Sequence, residues 1–241
     1  MIPLHDRNPP HGRPVLAYVL IGINVLVFIY QLILGETFRG LEFIFEYAFI
    51  PARFAAEPLA AAHTLVTSAF MHGGWMHLIG NMVFLLVFGD NIEDRMGHWR
   101  FLGFYLVGGA VACLLYSFFT NDPRTPLVGA SGAISAVLGA YIVLFPSQRV
   151  LTFIPPLVVP WFVLSIFVRV PRFFSLWVPA WVFIGYWAFI QVIEVSNRAV
   201  GNAEPSNVAW WAHIGGFVFG LLVVKLLARP APSGYAGSIR P

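Results

Sequence analysis

The sequence predicts an all-α polytopic membrane protein, a bundle of six transmembrane helices with an interfacial first loop. Three observations predict it. Hydrophobic residues make up 59% of the 241 positions and charged residues only 10%, with a mean hydropathy of +0.77, too apolar for one soluble domain of this length. Six separate stretches approach the run of about 20 apolar residues that crosses a bilayer. The lysines and arginines between those stretches gather on one side.

The N-terminal "MIPLHDRNPPHGR" lacks the basic, then apolar, then small-residue plan of a cleaved signal. Residues 1–13 are therefore expected to be a cytoplasmic tail, and residues 14–34 (PVLAYVLIGINVLVFIYQLIL) a retained first span. The connection over 36–64 contains "LEFIFEYAFIPARFAAEPLAAAH", a mixture of apolar and charged residues that suits the membrane surface. It reads either as a packed connection or as an element that admits a ligand. Residues 65–89 are apolar but hold His72, His77 and Asn81; 101–119 and 127–145 carry no charge; 208–227 are apolar but hold His213. Residues 173–193 span with Pro179 near their start, where proline costs least. Residues 150–168 are long enough to span, but Pro155, Pro156 and Pro160 would strip backbone donors from a helix in lipid. They read as an interfacial or re-entrant loop. The result is one membrane domain over 14–227 with a C-terminal cytoplasmic tail over 228–241.

The basic residues select this count. With six spans and the N-terminus inside, the inner side holds Arg7, Arg13, Arg95, Arg100, Arg149, Arg169, Arg172, Lys225, Arg229 and Arg240, and the outer side Arg39, Arg53, Arg124 and Arg198. Ten against four obeys the inside bias of cations. A seventh span over 150–168 would leave six inside and eight outside.

This topology brings four costly polar residues to one level. His77 and Asn81 are four apart near the outer end of the second span, on one helical face. Ser131 lies within roughly 6 Å of the outer end of a helix starting near residue 127, at about 1.5 Å per residue, and His213 is as far into the last span. Polar groups inside a bilayer are costly and mark functional sites. Gly132, Ala136 and Ala140 form a four-residue ladder with Gly139 beside it, and Gly216 and Gly220 form another, which lets two helices approach closely. Close approach is what a bond from Ser131 Oγ to a His213 ring nitrogen requires. A serine so placed is a nucleophile with a general base, and Asn81, His77 and the Ser131 backbone N–H are donors for the developing oxyanion. No carboxylate shares this level, so a Ser131–His213 dyad is expected, not a triad. Ser135, a turn deeper than Ser131, suits packing, and His72 a structural bond in its loop. The lone Cys113 has no partner for a disulfide or a paired-cysteine metal site.

These residues resemble the rhomboid intramembrane serine proteases. "GASG" (Gly129 to Gly132) is similar to the family's G-x-S-G nucleophile motif, "HLIGN" (His77 to Asn81) to its H-x-x-x-N oxyanion motif, and "AHIGGFVFG" (Ala212 to Gly220) to its base helix. "GDNIEDRMG" (Gly89 to Gly97) is similar to its G-x-x-x-E-x-x-x-G segment, where Glu93 is expected to bond backbone. The resemblance covers residues 14–227. It implies catalytic Ser131 and His213, an oxyanion hole of His77, Asn81 and the Ser131 amide, and no cofactor or metal. Transmembrane proteins are the implied substrates and the bilayer the medium, with no nucleic acid partner, in a multi-pass protein of a bacterial inner membrane. Two departures stand out. Many members carry an aromatic residue where this chain has Ser135, so another group must hold the His213 ring, with Trp210 or Trp211 the candidates. The 82 residues between Ser131 and His213 also include an extra inner-side region, 146–172. Two other readings compete. A non-catalytic membrane-protein-binding relative would not need the intact Ser131 and His213; a metal site on His72, His77 and His213 would lack an acidic ligand at their level.

Overall fold

The computed structural model describes residues 1–10, 12–153, 175–199 and 208–230. In chain order they form strand β1 (Ile2–Asp6), helices α1 (Leu16–Leu34), α2 (Phe38–Tyr47), α3 (Pro51–Ala56), α4 (Pro58–Ala61) and α5 (Thr64–Thr67), then a 3₁₀ turn (Ser68–Phe70). Helices α6 (Trp75–Met96), α7 (His98–Phe119) and α8 (Ser131–Leu144) follow. Strands β2 (Arg149–Phe153) and β3 (Ser175–Pro179) precede helices α9 (Ala180–Ala199) and α10 (Trp210–Leu227). The protein is a mostly helical, multi-pass membrane protein: α1, α6, α7 and α10 are each long and apolar enough to cross a bilayer.

α8 differs from the expected span over 127–145. It has 14 residues, about 21 Å at 1.5 Å per residue, short of a hydrocarbon core about 30 Å thick. It is short because it is enclosed: every residue from Gly132 to Tyr141 is buried. The preceding segment stays extended, and protein groups satisfy its backbone. Leu127 and Phe49 exchange hydrogen bonds of 2.8 and 3.1 Å, and the Gly129 N–H donates to Ser68 O at 2.9 Å. Irregular backbone at membrane depth is tolerated where protein surrounds it.

Glycine sets how closely α10 lies on α8. A Cβ on Gly220 would run into the carbonyl of Ala136, one on Gly216 into that of Gly132, and one on Gly139 into that of Phe217. No side chain fits between these backbones, as the two ladders in the sequence anticipate.

At the opposite end of α8 the structure adds a feature to the all-helical expectation. Strands β1, β2 and β3 form an antiparallel sheet in that order, with Ile2 opposite Phe153, Asp6 opposite Val150, and Arg149 opposite Pro179. Residues 1–13, expected as a tail, thus contribute an edge strand, and the expected loop over 150–168 begins as its central strand; residues 154–174 lie outside the described residues. The helix expected over 173–193 starts later, at Ala180, because its first residues pair in the sheet. Pro179 falls just before the helix, where its missing N–H costs nothing. Asp6 anchors β1, accepting from Asn91 Nδ2 at 3.0 Å and from the Tyr141 hydroxyl at 2.5 Å.

Glu93 bonds backbone as expected. Fully buried, it accepts from the N–H groups of Val15 and Leu16 at 2.9 Å each and Ala17 at 2.7 Å, supplying acceptors to the first turn of α1, which has no side-chain cap of its own. The interfacial loop over 36–64 is ordered as three short helices. Thr37 caps α2, accepting from Gly40 N at 3.3 Å, and Arg53 ties α3 to α2 through Phe45 O at 2.6 Å and Glu46 Oε2 at 3.0 Å. Phe38, Leu41 and Phe45 on α2 are exposed, an apolar face suited to the lipid boundary.

Candidate active site

Ser131 is the first residue of α8. First-turn N–H groups have no acceptor within their own helix, and no side chain caps this one. An uncapped helix N-terminus is a donor with a partial positive charge, suited to an oxyanion. Ser131, expected about one turn into its helix, stands instead at its start, because residues 127–129 before it are not helical.

Gly129 explains how that segment reaches the helix. Its φ of +122° is a conformation that side-chain-bearing residues avoid. Its Cα also faces the expected oxyanion residues: a Cβ there would lie 2.6 Å from His77 Nε2 and 3.5 Å from Asn81 Nδ2. His77 and Asn81, from α6, therefore stand against the backbone two residues before Ser131. The ring of His77 has a defined proton position. Gly73 N–H donates to its Nδ1 at 3.4 Å, so in the neutral ring the proton is on Nε2, the atom toward Gly129. Asn81 Nδ2 lies 3.0 Å from His72 Nε2; the amide donates one N–H there and has a second left over. His72 Nε2 thereby also orients Asn81. Its own backbone is held from α1 by Gln31, whose Oε1 accepts from His72 N at 3.0 Å and whose Nε2 donates to His72 O at 3.3 Å.

His213 is in the first turn of α10, three residues before Gly216, the glycine that lies against the Gly132 carbonyl and 3.2 Å, at a virtual Cβ, from Ser135 Cβ. Ser131 and His213 thus occupy the opening turns of two helices in backbone contact. The hydrogen bonds of the described residues include none from Ser131 Oγ to the His213 ring; such bonds often tighten only when substrate is bound. Ser135 is buried, and its hydroxyl donates back to Ser131 O at 2.6 Å, a packing arrangement.

Two groups beside His213 were not singled out in the sequence. His213 Nδ1 lies 2.8 Å from Gln191 Oε1, and the Trp187 ring is 6.0 Å from the imidazole, centre to centre. The visible signal was Gln191, a lone amide in an apolar stretch. Of the two tryptophans suggested for ring support, Trp210 makes an edge contact at 6.1 Å, whereas Trp211 stacks on Phe119 at 4.0 Å. Among the described residues no three His, Cys, Asp or Glu side chains converge as metal ligands.

Helices in backbone contact through glycine, with a serine, three histidines and an asparagine gathered at one end, define a polytopic helical membrane protein with a polar cluster at one end of its bundle. The chain belongs to the rhomboid family: residues 60–230 match the Rhomboid domain. It is 30% identical over 212 residues to "Rhomboid protein 1, mitochondrial" of Saccharomyces cerevisiae, covering 86% of this chain and 51% of that protein. It is 26% identical over 225 residues to "Rhomboid protease GluP" of Bacillus subtilis, covering 93% of this chain and 37% of the relative. To "Rhomboid-like protease 5" of Toxoplasma gondii it is 28% identical over 162 residues, covering 66% and 15%. The chain thus spans about half or less of the length of these curated relatives. The family includes proteases, as two of these names state.

Proposed function

We propose that this chain is an intramembrane serine endopeptidase that cuts transmembrane substrates near the outer boundary of the membrane. Ser131 is its nucleophile and His213 its general base. The observation that carries the reading is the backbone contact of α8 with α10 through Gly132 and Gly216, with Gly129, His77 and Asn81 beside the same turn. In the reaction, His213 Nε2 takes the Ser131 hydroxyl proton as Oγ attacks the scissile carbonyl carbon. The resulting oxyanion accepts from the Ser131 N–H, an Asn81 N–H and His77 Nε2–H. Collapse of the intermediate breaks the C–N bond, His213 gives its proton to the leaving amine, and water then hydrolyses the acyl-enzyme by the same route. A helix hides its peptide bonds, so a substrate must unwind locally to expose one. The arginines and lysines support an N-terminus on the inner side of the membrane, with Ser131 toward the outside. The relatives come from a mitochondrion, a parasite and a bacterium, and this orientation rests on the chain's own charges.

The test is cleavage of a single-span substrate by purified protein in lipid. Ser131→Ala and His213→Ala should each abolish cleavage while the protein stays folded, because each loses an atom that forms or breaks a bond; retained cleavage by either rejects the dyad. Moving a Gly/Ala-rich stretch along a poly-leucine span and mapping products by mass spectrometry tests the depth. Cuts should follow the stretch where it lies near the outer boundary, since weak helix formers lower the cost of unwinding; clustering at the inner boundary rejects this placement.

A further inference from the structure

His213 serves as a base only through a nitrogen that carries a lone pair and is open to Ser131. In a neutral imidazole one nitrogen holds the proton, and the partner of either nitrogen selects the tautomer. Here the partner of Nδ1 is Gln191 Oε1, at 2.8 Å. The Gln191 amide is itself oriented: its Nε2 donates to Trp187 O at 2.9 Å, a carbonyl that can only accept. The oxygen of the amide, not the nitrogen, therefore faces the ring. Because that oxygen also only accepts, Nδ1 carries the proton and Nε2 the lone pair.

The surroundings fix this arrangement. Gln191 is 4% exposed, so water does not compete freely for its amide. Trp187, one turn earlier on α9, approaches the His213 ring at 6.0 Å, and Trp210 meets it edge-on at 6.1 Å. Nothing comparable comes from α8, where Ser135 turns its hydroxyl to Ser131 O.

We propose that Gln191 is the positioning residue of this site. It holds His213 in the Nδ1–H tautomer and aims Nε2 as the proton acceptor for Ser131; the role rests on the serine protease reading above. A neutral amide selects the tautomer without burying a carboxylate in the membrane, where ionised groups are costly. In exchange it stabilises the transient imidazolium less than a carboxylate would.

The test uses the full chain in lipid vesicles, comparing wild type, Ser131→Ala, Gln191→Leu and Gln191→Glu on one single-span substrate, with kcat, KM and the pH profile of kcat measured. Gln191→Leu removes the acceptor and should lower kcat by about 10–100-fold, the usual cost of losing the group that orients a working histidine, with KM changed less than about twofold. Gln191→Glu restores an acceptor and adds negative charge, so activity should return with the acidic limb of the kcat profile moved about one unit to higher pH. Nitrogen NMR of labelled histidine should show the Nδ1–H form of His213 in wild type and a tautomer mixture in Gln191→Leu. Wild-type kcat together with an unchanged tautomer in Gln191→Leu would overturn the proposal. Should Gln191→Leu not fold, an unshifted profile in Gln191→Glu would overturn it equally. Wild type that cleaves no better than Ser131→Ala would instead reject the protease reading itself, and the nitrogen spectrum would still report what Gln191 does to the ring.

Discussion

The two ends of the helix bundle both bury polar groups, and they use them differently. Around Glu93 and Asp6 the carboxyl oxygens are spent on structure: Glu93 takes three backbone N–H groups and His98, while Asp6 takes Asn91 and Tyr141. Around Ser131 some polar atoms are bonded and others, the ones the proposed reaction would use, are spare. Gln31 holds His72, His72 holds Asn81, and Gln191 holds His213. The His77 proton, the second Asn81 N–H and the N-terminus of α8 have donating capacity left. A buried polar group whose bonds are all made stabilises a fold. One that is held on one side and open on the other can bond a transition state.

That contrast can be broken at either end. The largest effect after loss of the dyad itself is expected for Asn81→Ala. Removing an oxyanion donor should lower kcat by roughly 10²- to 10³-fold with a smaller change in KM, and an equal loss of substrate binding would make Asn81 structural. Gly220→Val comes next. Its side chain meets the Ala136 carbonyl, so α10 must move off α8; a displacement of about 1 Å should cost on the order of 10²-fold in rate. Unchanged cleavage would show that the dyad does not depend on this contact.

Glu93→Ala should do the reverse. Three backbone N–H groups lose their acceptor, for a stability loss on the order of 3–5 kcal/mol read as a lower thermal midpoint. The rate per folded molecule should stay within about twofold, and a kcat loss without a stability loss would erase the distinction between the ends. The smallest effect is expected at Asp6. Burial raises its carboxyl above the ordinary value, so the native chain holds that proton more tightly than the unfolded chain. The stabilisation is complete below the unfolded value of about 4 and is lost as pH rises through the raised native value. Wild type should therefore lose thermal midpoint across that window, and Asp6→Asn should flatten the dependence; a dependence unchanged in Asp6→Asn would place the titration elsewhere.

The sequence by itself determined that the chain lives in a bilayer, because a hydropathy of +0.77 and long uncharged runs leave no other solvent. It also marked Ser131, His77, Asn81 and His213, since a polar side chain in an apolar run is costly enough to need a reason. The α8–α10 contact was legible for a related reason, because glycine and alanine at four-residue spacing announce a close approach without naming the partner. Tertiary structure decided the rest. The start of α8 at Ser131 depends on Phe49 and Ser68 satisfying the extended segment before it, and β1 depends on residues 149–153. The roles of His72 and Gln191 depend on how α6, α9 and α10 are rotated about their axes, so that Nε2 of one ring meets Asn81 and Nδ1 of another meets an amide oxygen. Periodicity along one segment fixes which face of a helix is apolar; it carries no distance between side chains on different helices, and hydrogen bonds are decided at that distance.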